Sequence, residues 1–139
     1  MKILQIFIMT VKEKSHALQN AIGHIESMVE DFKKDKHFFD IKDFNSQDEL
    51  RENVLNSALS IQFRSGWETF EEDFKPAEFK ILLSWGGPAL RIIGELDDYG
   101  PVNPKLQFQD WGTPWTDFKI TEDQQEALNW FCNCFYFGG

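Results

Sequence analysis

The sequence predicts an α+β domain in which an antiparallel sheet of about four strands, arranged as a meander, packs against two or three helices. Apolar residues recur at steps of three and four near both ends of the chain, which is the spacing of a helix buried on one face. Between about residues 59 and 110 apolar and polar residues alternate instead, which is the spacing of a strand. Helical stripes need an apolar sheet face to cover them, so the two patterns indicate a single two-layer unit.

Size and composition agree with a folded chain. The 139 residues are 42% hydrophobic and 15% aromatic, which argues against disorder. A chain of this length buries about two thirds of its unfolded surface and forms a core without disulfides or metal. We therefore expect one domain over residues 1–139, mostly helical over residues 1–58, with the sheet and a C-terminal helix over residues 59–139.

The N-terminal part predicts one strand and two helices. Residues 2–9 are rich in Ile and Phe and favour a short strand, and Ser15 is placed to cap the helix that follows. The apolar stripe of this helix consists of Leu18, Ala21, Ile22, Ile25, Met28, Val29 and Phe32. Residues 37–44 are predicted as a strand or an extended linker. A Ser-x-x-Glu capping box that begins at Ser46 predicts a second helix over about residues 46–58.

The C-terminal part predicts the sheet, with each strand buried on one face. In chain order the predicted strands cover residues 59–64, 79–85, 90–96 and 105–110. They are joined by an acidic loop over residues 66–78, by a hairpin at Gly86-Gly87 and by a turn over residues 97–101. Thr121 and Gln124 form another capping box, which starts the final helix. The apolar stripe of that helix consists of Ala127, Leu128, Phe131, Cys134 and Phe135, and Gly138-Gly139 supplies a stop.

The net charge of −9 is unevenly distributed. Residues 1–65 hold ten acids and nine basic residues, whereas residues 66–139 hold thirteen acids and five basic residues. This distribution disfavours direct nucleic-acid binding, which needs a basic footprint. It favours a basic protein surface as partner, including one that normally holds DNA or RNA. The alternative is that the charges only keep the protein dispersed.

Few residues point to catalysis. Cys132 and Cys134 lack the second ligand pair of a zinc site, and we expect free, partly buried thiols in a reducing compartment. No serine lies in a nucleophile-elbow context, and no segment has the features of a signal peptide or a membrane span. The sequence therefore predicts a cytoplasmic binding protein with no cofactor and no metal. The one set of residues that could support an enzyme consists of Asp97, Asp98, Asp110 and Asp117, if their loops converge.

Aromatic side chains framed by carboxylates are typical of the residues that dominate protein interfaces. Two stretches of the C-terminal part have this composition. The predicted partner-binding residues are Trp67, Glu68, Glu71, Glu72, Asp73, Asp97, Asp98, Asp110, Trp111, Trp115 and Asp117. Their carboxylates could stand in for the phosphates of a nucleic acid. The alternative is that the indoles only close the ends of the sheet.

From Leu59 onward the sequence contains a series of short motifs. They are Leu59-Ser60, Arg64-Ser65-Gly66-Trp67, Ile81-Leu82-Leu83, Gly86-Gly87-Pro88-Ala89, Arg91-Ile92, Gly94-Glu95-Leu96-Asp97, the run from Gln109 to Thr116, and Phe135-Tyr136-Phe137-Gly138. In these motifs the sequence resembles a family of small uncharacterised proteins carried by phages and mobile elements. The motifs cover about half of the chain, and Trp85 departs from the pattern because a smaller residue is expected before the glycine pair. The resemblance implies a counter-defence role, such as that of an anti-CRISPR or antirestriction protein, and residues 1–50 lie outside it.

Three functional hypotheses follow. The leading one is an inhibitor that binds a host defence complex, such as a CRISPR effector or a restriction nuclease, and competes for its nucleic-acid channel. The second is a small enzyme, with or without a bound metal, that uses the four Asp residues. The third is an immunity-type protein that binds a basic toxin.

Overall fold

The computed structural model describes residues 16–65, 76–86 and 88–135. Within these ranges the helices are α1 (His16–Asp40), α2 (Phe44–Ser57) and α3 (Glu122–Asn133). The strands are β1 (Ser60–Ser65), β2 (Pro76–Ser84), β3 (Ala89–Asp97), β4 (Gly100–Gln109) and β5 (Thr116–Asp117). They form one sheet in the order β1-β2-β3-β4-β5, and every neighbouring pair is antiparallel. The predicted α+β class and the meander are confirmed, and β5 adds a short fifth strand.

Several predictions concern residues outside these ranges. They are the strand over residues 2–9, the cap at Ser15, residues 66–75 of the acidic loop, Gly87 of the hairpin, and the stop at Gly138-Gly139.

The core lies between one face of the sheet and the helices. Ile81, Ile92 and Leu106 pair across β2, β3 and β4, and all three side chains are fully buried. Helix α1 packs against α3, α2, β3 and β4, and α3 packs against β4. Ile25 from α1 and Leu128 from α3 are also fully buried in this cluster. The two helices therefore cover the apolar face of the central strands, as their stripes predict.

The junction of α1 and α2 differs from the prediction of a strand or linker over residues 37–44. Helix α1 continues to Asp40, since neither Pro nor Gly lies between residues 33 and 41, and it is terminated by Lys42, whose φ of 59° is left-handed. The amides of Lys42 and Asp43 donate to the carbonyls of Phe39 and Phe38, which is the Schellman pattern. The Asp43 carboxylate accepts from the amide of Ser46, so Asp43 caps α2 and the predicted capping box at Ser46 is wrong.

The sheet begins with a strand that is more exposed than predicted. Leu59, Ile61 and Phe63 were expected to form the buried face of this strand, yet all three side chains are exposed. Register places Ile61 opposite Ile81 and Phe63 opposite Phe79, so these residues do point to the apolar side of the sheet. They stay exposed because the helices make their main contacts with β3 and β4 rather than with this edge.

Two strands are longer than predicted. β2 begins at Pro76, inside the expected loop, and β4 begins at Gly100 rather than at residue 105. Pro101 and Pro104 obscure the alternation of β4, because proline is rare inside a paired strand. The register passes from Ile93↔Lys105 to Glu95↔Val102, so β4 contains one extra residue there.

A glycine in β3 leaves space for an aromatic ring from the neighbouring strand β2 to lie against its backbone. A Cβ atom on Gly94 would lie 2.5 Å from the ring of Phe79 and 3.2 Å from the Cα atom of Pro104. The strand therefore accommodates no side chain at this position without moving either the buried ring or the backbone of β4.

We expect Gly94→Ala to lower the free energy of unfolding by about 1–3 kcal/mol, the usual cost of overpacking a core. Equilibrium denaturation in urea measures this. Gly23→Ala is the matched control, because nothing lies within 4 Å of the added methyl group and Gly23 is inside helix α1. This control should raise stability by about 0.5–1 kcal/mol. Equal stability of the Gly94→Ala variant and the unmodified protein would contradict the close approach.

Candidate functional site

The predicted partner-binding residues fall at opposite ends of the sheet. Asp97 and Asp98 lie at the hairpin between β3 and β4, whereas Asp110 and Trp111 follow the other end of β4. At about 3.3 Å per residue, the ends of the ten-residue strand β4 lie roughly 30 Å apart. The four Asp residues of the enzyme hypothesis therefore do not converge. Nor do the described residues contain any group of three His, Cys, Asp or Glu side chains that could hold a metal ion.

The other five predicted partner-binding residues lie outside the described residues. They are Trp67, Glu68, Glu71, Glu72 and Asp73.

Trp111 is presented at the tip of a hydrogen-bonded turn over residues 110–113. The amide of Thr113 donates to the carbonyl of Asp110. The Thr113 hydroxyl group accepts from the amide of Asp110 and donates to its carbonyl. Gly112 has a φ of 73°, the sign that a type II turn requires at its third position. The Trp111 side chain is 87% exposed. The backbone of the turn is therefore held in place while its indole faces solvent.

Asp110 contributes mainly to the fold. Its carboxylate accepts a hydrogen bond of 3.3 Å from the amide of Ala17, in the first turn of α1. A negative charge at this end of a helix satisfies a free N–H group and complements the helix dipole. Asn20 donates to the hydroxyl group of Ser84 at 2.8 Å, which adds a second link between α1 and the same end of the sheet. The Asp110 carboxylate therefore holds the start of α1 against this end of the sheet.

Trp115 and Asp117 belong to one chain of contacts across the sheet. The guanidinium carbon of Arg91 lies 4.1 Å from the centroid of the Trp115 ring, and its Nε donates to Gln107 at 2.9 Å. Gln107 in turn donates to Asp117 at 2.7 Å. Burial of the guanidinium lowers the pKa of Arg91 from its ordinary value. These contacts place Trp115 half-buried at the edge of the sheet. Trp115 therefore packs against the sheet, and only part of its side chain is available for the predicted contact with a partner.

Trp85 is an exposed indole at the last position of the predicted strand over residues 79–85. The alternation of Phe79, Ile81 and Leu83 ends there, because a register shift lies between Leu82 and Ser84 and the strand stops at Ser84. Trp85 is 71% exposed. Its departure from the resembling family was the one sequence signal that singled it out.

The three indoles of Trp85, Trp111 and Trp115 share one end of the sheet, which we call the indole end. Ala89, just after the β2–β3 hairpin, pairs with Gln109, just before the Trp111 turn. The two loops are therefore neighbours. At the opposite end Tyr99, 96% exposed and also missed by the sequence analysis, stands beside Asp97 and Asp98.

The two thiols are free, as predicted, and neither is activated. Burial raises the pKa of Cys132 far above its usual range. Burial also raises the pKa of Cys134 to about 11, against the smaller opposing effect of Arg51. A reactive cysteine needs a lowered pKa, so the structure gives these residues the opposite of what nucleophilic catalysis requires.

Comparison with protein-family models, with curated proteins and with solved structures finds no match to this chain. The resemblance to phage and mobile-element proteins therefore stays a prediction. None of the helices in the described ranges combines the length and the apolar character that crossing a bilayer requires.

Removing the Asp110 carboxylate should loosen the indole end. We expect Asp110→Ala to lower the free energy of unfolding by about 1 kcal/mol, the usual effect of losing a helix cap. The amide resonance of Ala17 should also move in an NMR spectrum, since it loses its acceptor. Asp98→Ala removes the same charge from an exposed hairpin and should leave both readouts unchanged. An unaltered Ala17 resonance in Asp110→Ala would contradict the contact.

The native thiols should react slowly. At pH 8 a thiol with a pKa of about 11 is roughly 0.1% thiolate, so we expect Cys134 to react with iodoacetamide about a hundredfold more slowly than free cysteine. The rate should rise as the pH approaches 11. Mass spectrometry of labelled protein over time measures this, and protein unfolded in guanidinium chloride, where both thiols are accessible, is the control. Rapid native labelling at pH 8 is the outcome that would contradict the raised pKa.

Proposed function

We propose that this chain is an acidic binding protein of phage or mobile-element origin. It inhibits a host nucleic-acid-targeting defence complex by protein–protein contact, in the manner of an anti-CRISPR protein. It acts in the cytoplasm of the host bacterial cell. The partner surface is basic and normally holds nucleic acid.

The observation that carries the proposal is the exposure of Trp111 on a fixed turn. A Trp side chain left in water forgoes a large burial energy, and Trp is enriched among the residues that dominate binding at interfaces. The hydrogen bonds of the 110–113 turn hold its backbone in one conformation, so less entropy is lost when a partner covers the indole. Trp85 at the same end enlarges the apolar contact.

Charge supplies the second argument. A net charge of −9 attracts a basic surface over several ångströms and raises the rate of encounter more than the final affinity. Part of this charge lies far from the indoles, because Asp97 and Asp98 are at the opposite end of β4. We therefore assign long-range attraction to the whole molecule and specific contact to the indole end.

The carboxylate-enzyme alternative receives no support from the geometry, since its four Asp residues do not meet. The immunity-type alternative uses the same acidic surface and exposed indoles. It differs from the leading proposal in the partner, which would be a basic toxin, and the experiment below separates the two.

We expect Trp111→Ala to abolish inhibition. In a bacterial host that carries an active CRISPR or restriction system, the unmodified protein should restore phage infection, and Trp111→Ala should not. With the purified defence complex, the dissociation constant should rise at least about thirtyfold, as for a hot-spot residue. It should also rise with salt for the unmodified protein, because exposed charges are screened.

Tyr99→Ala is the matched control, since it removes an equally exposed ring at the other end of the sheet. It should inhibit like the unmodified protein. The proposal fails if no defence complex is inhibited, or if Trp111→Ala and Tyr99→Ala behave alike. Rescue of cells from a basic toxin, with no effect on defence, would favour the immunity-type alternative.

A further inference from the structure

The face of the sheet that points away from α1 and α3 carries a shallow groove of about 980 Å³. We call it the open face, and it is defined by Gln62, Lys80, Arg91, Ile93 and Lys105. The strand register shifts between Leu82 and Ser84 and between Ile93 and Glu95. The groove has the size of a small-molecule site rather than of a protein interface.

Three cations of the open face surround one apolar side chain. Lys80 and Lys105 pair with Ile93 from either side, so their Cα atoms lie about 10 Å apart across the sheet. Arg91 lies two residues from Ile93 on the same strand, about 7 Å away, and its side chain emerges on the same face. Long, flexible side chains at these spacings can converge on one anion.

Two of these cations have no ion-pair partner among the described residues, and the third forms one long ion pair. Lys80 forms no ion pair with any described residue, whereas the Lys105 ammonium lies 3.9 Å from a carboxylate oxygen of Asp117. Arg91 is held by the neutral amide of Gln107 and by the Trp115 ring. Residues 66–139 are strongly acidic as a segment and contain only five basic residues, yet three of the five lie together on the open face.

The opposite side of the groove is acidic. Glu78 and Glu95 are paired across β2 and β3, and Arg64 bonds the carboxylate of Glu78. The carboxylate of Glu95 has no ion-pair partner among the described residues and lines the groove beside Asn103. The open face thus has a cationic side, suited to an anion, and a side with acceptors for hydroxyl or amino groups.

We propose that the open face binds a small phosphate ester with hydroxyl or amino donors, such as a nucleotide. The phosphate group lies against Lys80, Arg91 and Lys105, and the donors face Glu95. A small ligand fits better than a nucleic-acid strand, because the protein carries a net charge of −9 and repels an extended polyanion. This site is separate from the proposed inhibitory contact at Trp111.

The test is an NMR titration of the full chain with three probes: inorganic phosphate, adenosine 5′-monophosphate and a short single-stranded oligonucleotide. The nucleotide should shift the amide resonances of Lys80, Arg91, Ile93 and Lys105 and should bind more tightly than phosphate. Lys80→Gln and Lys105→Gln should each weaken nucleotide binding about tenfold or more, since each removes a charged contact. Both positions are on the surface, so the spectra of the variants should otherwise match.

Lys33→Gln is the matched control. It removes the same charge from an exposed position on α1, in the helical layer on the other side of the sheet. It should leave the dissociation constant within twofold. The proposal is overturned by any of four results: no shifts at millimolar nucleotide, shifts spread over the whole surface, equal effects of Lys33→Gln and Lys80→Gln, or affinity for the oligonucleotide that exceeds affinity for the nucleotide. Nucleotide and phosphate bound equally well would overturn the assignment of an ester.

Discussion

The rest of the molecule depends on the fully buried row formed by Ile81, Ile92 and Leu106 across the three central strands. Side chains alternate between the faces of a strand, so burial of this row beneath α1 and α3 fixes the register of the sheet. The next row is then forced to the other face, where Lys80, Ile93 and Lys105 follow one another. A slip of one residue would bury two ammonium groups and expose the core. Burial of the apolar row thus determines which side chains form the cationic surface on the opposite face.

The predicted meander and the Thr121 capping box were confirmed, whereas the predicted cap of α2 was not. The Thr121 capping box is present as predicted, because all its atoms lie within one helical turn. The cap of α2 was assigned to Ser46 instead of Asp43, because the preceding helix was expected to end too early. The enzyme hypothesis required Asp97 to converge with Asp110, which the meander does not allow, since successive turns of a meander lie at opposite ends of the sheet.

The net charge of a sequence segment does not show which charges lie together on the folded surface. Residues 66–139 are strongly acidic as a segment, yet the open face gathers three of their five cations. Counting could not reveal this, because Lys80, Arg91 and Lys105 lie on three different strands. The exposure of Trp85 was equally hidden, since it results from a register shift that interrupts the alternation just before the hairpin. Both features required strand pairing, which is a long-range property.

One side chain joins the two surfaces. Arg91 belongs to the cations of the open face, and its guanidinium also stacks on Trp115 at the indole end. Gln107 fixes its Nε, which leaves the outer nitrogens of the fork to meet an anion while the flat face stays on the ring. An anion bound there would strengthen the hold on Arg91 and, through it, on Trp115. A ligand on the open face would therefore act on the loop that presents Trp111, because Trp111 and Trp115 belong to the same short connection between β4 and β5.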